Sequence, residues 1–486
     1  MIEILRALPF LTAVIGIPAF GLLAASTTRH FATSRRRAAF SVALSTMVAA
    51  VAGALVFMDH GVVFRDPLLP FLSLDVQSSV LPLLTNLVAA ALLFLAPKRD
   101  LRRTGVLDVM WLLVVSSVLF ATQHIGLFVL LWAAMNLPVG AWLDRGIDGR
   151  GHRAHWILAA ITTIPVLAVF GRMLYAGAMS TALWTDAAPE LAPGDDIILF
   201  ALVVFASMGR MGVFPLHVWF PVLVAQDRAP RSIMLLGPLS GAYLILRFGA
   251  LFPEAFARDL PWMAVIGIVS AMFFALVALG QKGQLGAATY LVLSQVGLVF
   301  MGMADTNAMS LNGALVLWFA QGVAGTGLLV MALGVRARRG AVLLDRFHGL
   351  VAGAPHLAGA HFLFGMAVVG LPGTITFVAE DLIAHGFVHH HPWLSALYVL
   401  VTALNAVTYL RLFGRVFLGE PTTGAVGCPD LSVEERGAAA VLAATLIITG
   451  IVPYPAVSAR SRTTEDLISM ECESGADCEI SGREFP

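Results

Sequence analysis

Five ionisable side chains stand in stretches that are otherwise almost wholly apolar: Arg210, His217, Glu380, Asp381 and His385. A charge at bilayer depth costs about 2.5–3.5 kcal/mol on insertion scales, so such residues face a protein interior or water and mark proton or ion paths. Arg210 is followed by Gly212, Pro215, His217, Trp219 and Pro221, and two prolines and a glycine in so short a run interrupt a helix. The carbonyls freed there require a polar lining. Arg210 one turn before this break suits an ion path; its alternative role is to cap the freed carbonyls and snorkel to one interface. His217 suits a relay near neutral pH, or equally a hydrogen-bonded interior imidazole.

A second interruption, at Gly370, Pro372 and Gly373, precedes Glu380, Asp381 and His385. Asp381 and His385 share one helical face at i and i+4. Glu380 points about 100° away, from the helical period of 3.6 residues per turn. Glu380 is therefore the intramembrane candidate, with Asp381 and His385 nearer solvent. The run His389, His390 and His391 before Pro392 lacks the spacing of a metal site and reads as a solvated helix end.

The elements that carry these residues are membrane helices. The chain has 486 residues, 58% hydrophobic and only 12% charged. Soluble domains carry about 25% charged residues, so a soluble enzyme is excluded. Apolar windows long enough to span fall at 8–25, 38–57, 79–96, 106–121, 125–142, 156–177, 197–216, 231–252, 262–279, 284–303, 311–335, 357–388, 394–417 and 437–453. The fold class is thus an all-α polytopic membrane protein of about 14 spans, the first read as a retained helix and not a removed signal. No strands are expected. The two interrupted windows, the seventh and twelfth, predict two inverted five-helix repeats with functional groups near the breaks. The expected organisation is 1–97 leading helices, 98–253 first repeat broken near 212–221, 254–417 second repeat broken near 370–373, 418–457 last helix and 458–486 a polar acidic tail.

Lys and Arg alternate between loops: 21 lie in or beside the odd-numbered loops, against Arg65 and Arg258 in the even ones. Cytoplasmic loops retain positive charge. That rule places both termini outside and the protein in the plasma (inner) membrane. Cys472 and Cys478 of the tail would then meet the oxidising side, where they could pair or remain free thiols; Cys428 would be reduced. Thirty positive against thirty negative charges argue against a nucleic-acid partner. No Cys or His spacing suits zinc, haem or an iron–sulfur cluster, so no cofactor or metal of its own is expected. Arg172, Arg247 and Arg411 read as span-end residues, Asp75 as the start of the third span, and Tyr290, Ser294 and Gln295 as interhelical hydrogen-bonding groups.

From Arg210 to Phe248, the residues Pro215, His217, Trp219, Pro221, Ala229, Pro230, Ser232, Gly237, Leu246, Arg247 and Phe248 match without a gap the seventh and eighth helices of the antiporter-like membrane subunits of respiratory complex I. The chain resembles that family, of the chain M (chain 4) type, whose fold is shared with Mrp-type Na+/H+ antiporters. Tyr290, Ser294, Gln295 and Gly297, and the stretch Leu371–Asp381 with its Leu-Pro-Gly and Glu380, resemble two further family elements. The resemblance implies a midplane chain of buried Lys, Glu and His that passes protons, coupled by partner subunits to quinone reduction or sodium exchange. Carried over, the fifth-helix Glu falls at Ala133, the seventh-helix Lys at Arg210, the eighth-helix Lys at Gly241, and the eleventh-helix His, His and Lys at Trp318, Gly322 and Thr326. Only Glu380 stays in kind. Arg does not exchange its proton as a buried Lys can, which weakens a relay at 210. The expected function is a membrane subunit of a complex I-like, Mrp-like or hydrogenase-like assembly with a partly lost proton path. The alternatives are the energising subunit of a two-component inorganic-carbon uptake system with a large soluble partner, or a non-conducting scaffold. Any redox centre would belong to other subunits.

Overall fold

A computed structural model describes residues 9–28, 30–58, 63–75, 77–137, 149–176, 183–184, 194–226, 229–305, 307–422, 425–458 and 461. The predicted Cys472 and Cys478, the acidic tail beyond 461, and the loop residues Arg29, Arg145 and Arg228 lie outside the described residues, as does the side chain of His389.

Long runs of Ala, Leu, Val, Ile and Phe leave the backbone no solvent to bond, so it bonds within helices. In chain order these are α1 (Phe10–Ser26), α2 (Phe31–Met58), α3 (Leu81–Leu95), α4 (Lys98–Ala121), α5 (Ile125–Ala134), α6 (Gly149–Tyr175), α7 (Asp195–Met211), α8 (Trp219–Ala225), α9 (Ala229–Leu236), α10 (Ser240–Leu251), α11 (Pro253–Gly280), α12 (Gln284–Gly302), α13 (Ala308–Arg339), α14 (Pro355–Val368), α15 (Ile375–His390), α16 (Pro392–Phe417) and α17 (Val433–Ile451). Eight helical segments are long and apolar enough to cross a membrane by length and composition, and α1, α3 and α5 are shorter apolar helices. The expectation of no strands needs correction: Phe64–Arg65 pairs antiparallel with Ser73–Leu74, Phe64 opposite Leu74. Two-residue strands are too short to show alternation. Beside them Asp66 accepts from the Thr12 N–H at 2.8 Å and its hydroxyl at 2.7 Å, fixing the start of α1.

The core lies around α12 and α13, both buried along most of their length. Small residues allow close approach: a Cβ on Gly267 would meet the Met301 backbone at 2.6 Å, and one on Gly297 the Ala271 backbone at 2.7 Å, so α11 and α12 touch nearly backbone to backbone. α13, with 32 residues, is about 48 Å long at 1.5 Å per residue, against a hydrocarbon core of about 30 Å. Its last turn, with Arg336, Arg338 and Arg339, therefore extends past the apolar bundle.

Ion pairs join helices far apart in sequence. Arg336 meets Asp100 at 2.5 Å and donates to the Ala225 carbonyl at 3.0 Å. Arg231 meets Asp108 at 3.0 Å and also donates to the carbonyls of Leu137 and Met135. Arg247 meets Asp75 at 2.6 Å and donates to the Tyr243 hydroxyl at 2.7 Å. Burial adds to two sequence readings. Arg231, counted among the loop cations, is 3% exposed. Arg247, read as a span-end residue, is a buried clasp on the loop before α3. Burial alone would raise the Asp75 carboxyl; Arg247 together with the Ser78 hydroxyl and N–H outweighs it and holds the group below its ordinary value. Removing one member of such a buried pair costs about 3–5 kcal/mol.

Candidate functional site

The first interruption follows Met211. Gly212, at φ +69°, closes α7 in the left-handed region that glycine favours; the Phe214–Pro215 peptide is cis, and helix resumes at Trp219. The carbonyls at this end are used locally. The Met208 carbonyl accepts from the Val213 N–H at 2.9 Å, and the Gly209 carbonyl from the Trp219 indole at 2.9 Å. Arg210 therefore does not cap the break. Its guanidinium is fully buried, lies 4.6 Å from the Trp132 ring centre, and makes a single 3.4 Å contact with the Trp132 carbonyl on α5. Its Nε and Nη1 have no partner, and among the described residues no carboxylate pairs with it.

His217 occupies the same interruption inside an aromatic box. Phe214, Phe273, Phe274 and Tyr290 have ring centres 4.8–6.4 Å from the imidazole. Its Nδ1 has no hydrogen-bond partner.

The second interruption runs from Val369 to Thr374, between α14 and α15. Glu380 lies in the second turn of α15 with its carboxyl turned back onto the break, 9% exposed. Oε1 accepts from Gln295 Nε2 at 3.2 Å. Gly370, at φ +76°, faces the carboxyl so closely that a Cβ there would overlap Oε2. The glycine thus serves twice, by its backbone conformation and by the room it leaves. The buried Tyr398 hydroxyl of α16, which lacks a hydrogen-bond partner, lies within the carboxylate's field. Asp381 and His385 stand on the outer surface of the bundle, 57% and 64% exposed, paired at 3.2 Å. The structure therefore separates the two carboxylates and does not bring Arg210 and Glu380 into an ion pair.

The sequence reading misses two buried features. His361, in the middle of α14, is fully buried against Tyr409 and Phe417. A lone His in an apolar run is the signal that could have found it. Between α9, α12 and α13 lies a cavity of about 10 Å³, lined by Gly237, Val292, Val296, Gln321, Gly322 and Thr326 among others. That is room for about one water, and the Gln321 carbonyl oxygen and Thr326 hydroxyl, both without hydrogen-bond partners, offer it contacts.

A family model described as "NADH:quinone oxidoreductase/Mrp antiporter, TM" matches residues 166–405, a range that contains both interruptions and every candidate residue above. A chain of respiratory complex I from Thermus thermophilus superposes at TM-score 0.82 and 26% identity, covering 95% of this chain and 99% of that one. The chain is similar to this antiporter-like family in sequence and in fold. The antiporter-like chain is 29% identical over 342 residues to NADH-quinone oxidoreductase subunit 13 of Thermus thermophilus, 69% of this chain and 72% of the relative. With chloroplastic NAD(P)H-quinone oxidoreductase chain 4 of Cryptomeria japonica it shares 28% over 321 residues, 62% of this chain. The antiporter-like chain spans 63% of that relative's length and 56% of a chain 4 from Trichodesmium erythraeum. A chain of the Mrp complex from Dietzia sp. shares the fold, at TM-score 0.78 and 18% identity, with coverage of 96% and 100%.

Proposed function

We propose that the chain is a membrane subunit of a complex I-like, Mrp-like or hydrogenase-like assembly and takes part in proton translocation through Glu380. The observation that carries this reading is the geometry of the second interruption. A carboxylate is buried on a broken helix, held by Gln295 and given room by Gly370. Nothing in apolar packing requires a carboxylate there, and leaving one buried with a single neutral hydrogen bond is costly unless it exchanges a proton. The finer architecture belongs to the same reading: about 14 spans, two inverted repeats over 98–253 and 254–417, and both termini on the outer side of the plasma membrane. The resemblance to complex I, Mrp and sulfane sulfur reductase chains supports partners that are other subunits of a membrane complex.

The path is partly lost in both halves. Arg210 keeps its proton, and Ala133, Gly241, Trp318, Gly322 and Thr326 stand where the resemblance implies ionisable groups. The unbalanced Arg210 favours, for the first half alone, a non-conducting role. The test is Glu380→Gln in the native assembly, with pH-gradient formation followed in vesicles and assembly checked by copurification. Loss of the gradient with normal assembly is expected. An unchanged gradient would leave the chain a scaffold.

A further inference from the structure

We infer that His361 is a proton-binding residue of the second half, between Glu380 and the start of α14 at His356 and Asp430. The inference rests on the reading of Glu380 as a translocating carboxylate.

The hydrogen bonds around His361 specify its tautomer. Tyr409 donates its one hydroxyl proton to the His361 carbonyl at 2.7 Å. The same hydroxyl lies 3.1 Å from His361 Nδ1, and with its proton already placed it can only accept there. Nδ1 is therefore the protonated nitrogen. Nε2 is left as a lone-pair acceptor, buried and without a partner. An orphaned basic nitrogen costs stability with no return in packing, since an apolar side chain would fill the same space. What it provides is a place to receive a proton: an O–H bond of a hydronium ion breaks as an N–H bond forms at Nε2, the ring becomes an imidazolium held through Nδ1, and the proton passes from Nε2 back to a water molecule.

Its position suits transfer. α14 begins at Pro355 beside Asp430, which accepts from the His356 and Leu357 N–H groups at 3.0 and 2.9 Å and contacts the half-exposed His356 ring at 2.6 Å. His361 lies five residues further in, a rise of about 7.5 Å. In the other direction the buried face of α16 presents Tyr409, Asn405 and Tyr398 in succession. Asn405 donates to Ser294 at 2.9 Å, and the next residue, Gln295, holds Glu380. Buried polar groups thus stand on α12, which carries the partner of Glu380, and on α16, which carries Tyr409, while the rings of Phe413 and Phe417 have centres 6.4 and 5.0 Å from the imidazole.

The experiment compares His361→Gln with Glu380→Gln in the native assembly, reading the initial rate of pH-gradient formation in vesicles per unit of driving reaction. Gln retains an amide donor for the Tyr409 hydroxyl and cannot titrate, so a purely structural His361 predicts the wild-type rate. A fall of about 100-fold is expected, at the low end of what a positioned proton-transfer group contributes. The wild-type rate in His361→Gln, with Glu380→Gln inactive, would overturn this inference alone; the wild-type rate in Glu380→Gln would overturn the function proposed above. Should His361→Gln fail to assemble, His361→Met fills the pocket without a titratable atom. The same loss is expected of it, and a wild-type rate there would equally overturn the inference.

Discussion

The two helix interruptions carry opposite charges and treat them in opposite ways. At the first, Arg210 is fully buried with one long hydrogen bond and the face of Trp132 for company. At the second, Glu380 meets an amide donor, a glycine-made pocket and, through α16, a line of buried hydroxyl and amide groups. A guanidinium cannot release its proton, so the first break holds a fixed charge; a carboxyl can, so the second holds a variable one. Two interrupted helices of one chain thus hold charges of different character, and only the carboxyl can release its proton.

The comparison breaks most decisively on transport. Glu380→Gln should abolish gradient formation, a loss of about 100-fold or more for a group whose proton moves, whereas Arg210→Gln should leave it within about twofold. The measurement is gradient formation in vesicles, and an equal loss in Arg210→Gln at normal assembly would remove the asymmetry. A second contrast concerns stability. Asp108→Asn leaves Arg231 buried without its carboxylate and should lower the unfolding free energy of the first half by about 3–5 kcal/mol. Detergent melting of the assembly would show it, with Asp108→Asn plus Arg231→Met recovering much of the loss.

Gly370→Ala should cost about 1–3 kcal/mol from backbone strain and lower transport as well, since the added methyl meets the Glu380 carboxyl. Gly373→Ala, equally left-handed at φ +95° but open on all sides, should cost strain alone. The smallest effect belongs to Asp430. Burial would raise its carboxyl, but the His356 ring and the N–H groups of His356, Leu357 and Leu431 outweigh burial and hold it at about 2. A carboxyl depressed in the folded state contributes stability above its unfolded value near 4, and that contribution fades as pH falls towards 2. Asp430→Asn should therefore lower stability at pH 7, by the contribution the carboxylate makes there, flatten the acid limb of a stability profile between about pH 4 and pH 2, and change little below that.

Much of this arrangement is legible in the sequence. Continuous apolar runs mark helices because lipid and buried cores both forbid unsatisfied backbone, and Gly212 and Gly370 mark breaks because few other residues adopt their conformation. Glu380 is legible because a carboxylate rarely stands in such a run. The partners of the buried cations are not: Asp108 and Arg231 are 123 residues apart, and nothing local joins them. The capping role considered for Arg210 fails because the indole of Trp219 and the turn's own N–H groups reach those carbonyls first. His361 escapes a reading of the sequence because its significance lies in Tyr409, two helices away along the chain.

The reach of α13 has one mechanical consequence. At its protruding end Arg336 grips Asp100 at the start of α4 and the Ala225 carbonyl at the close of α8, while Arg338 grips Glu435 at the start of α17. One rigid bar is thereby bolted to three separate parts of the bundle on one face. A rocking motion that swung these parts against one another would have to shear those bolts in every cycle. A motion that leaves those contacts intact would carry the end of α13 and the starts of α4 and α17 together.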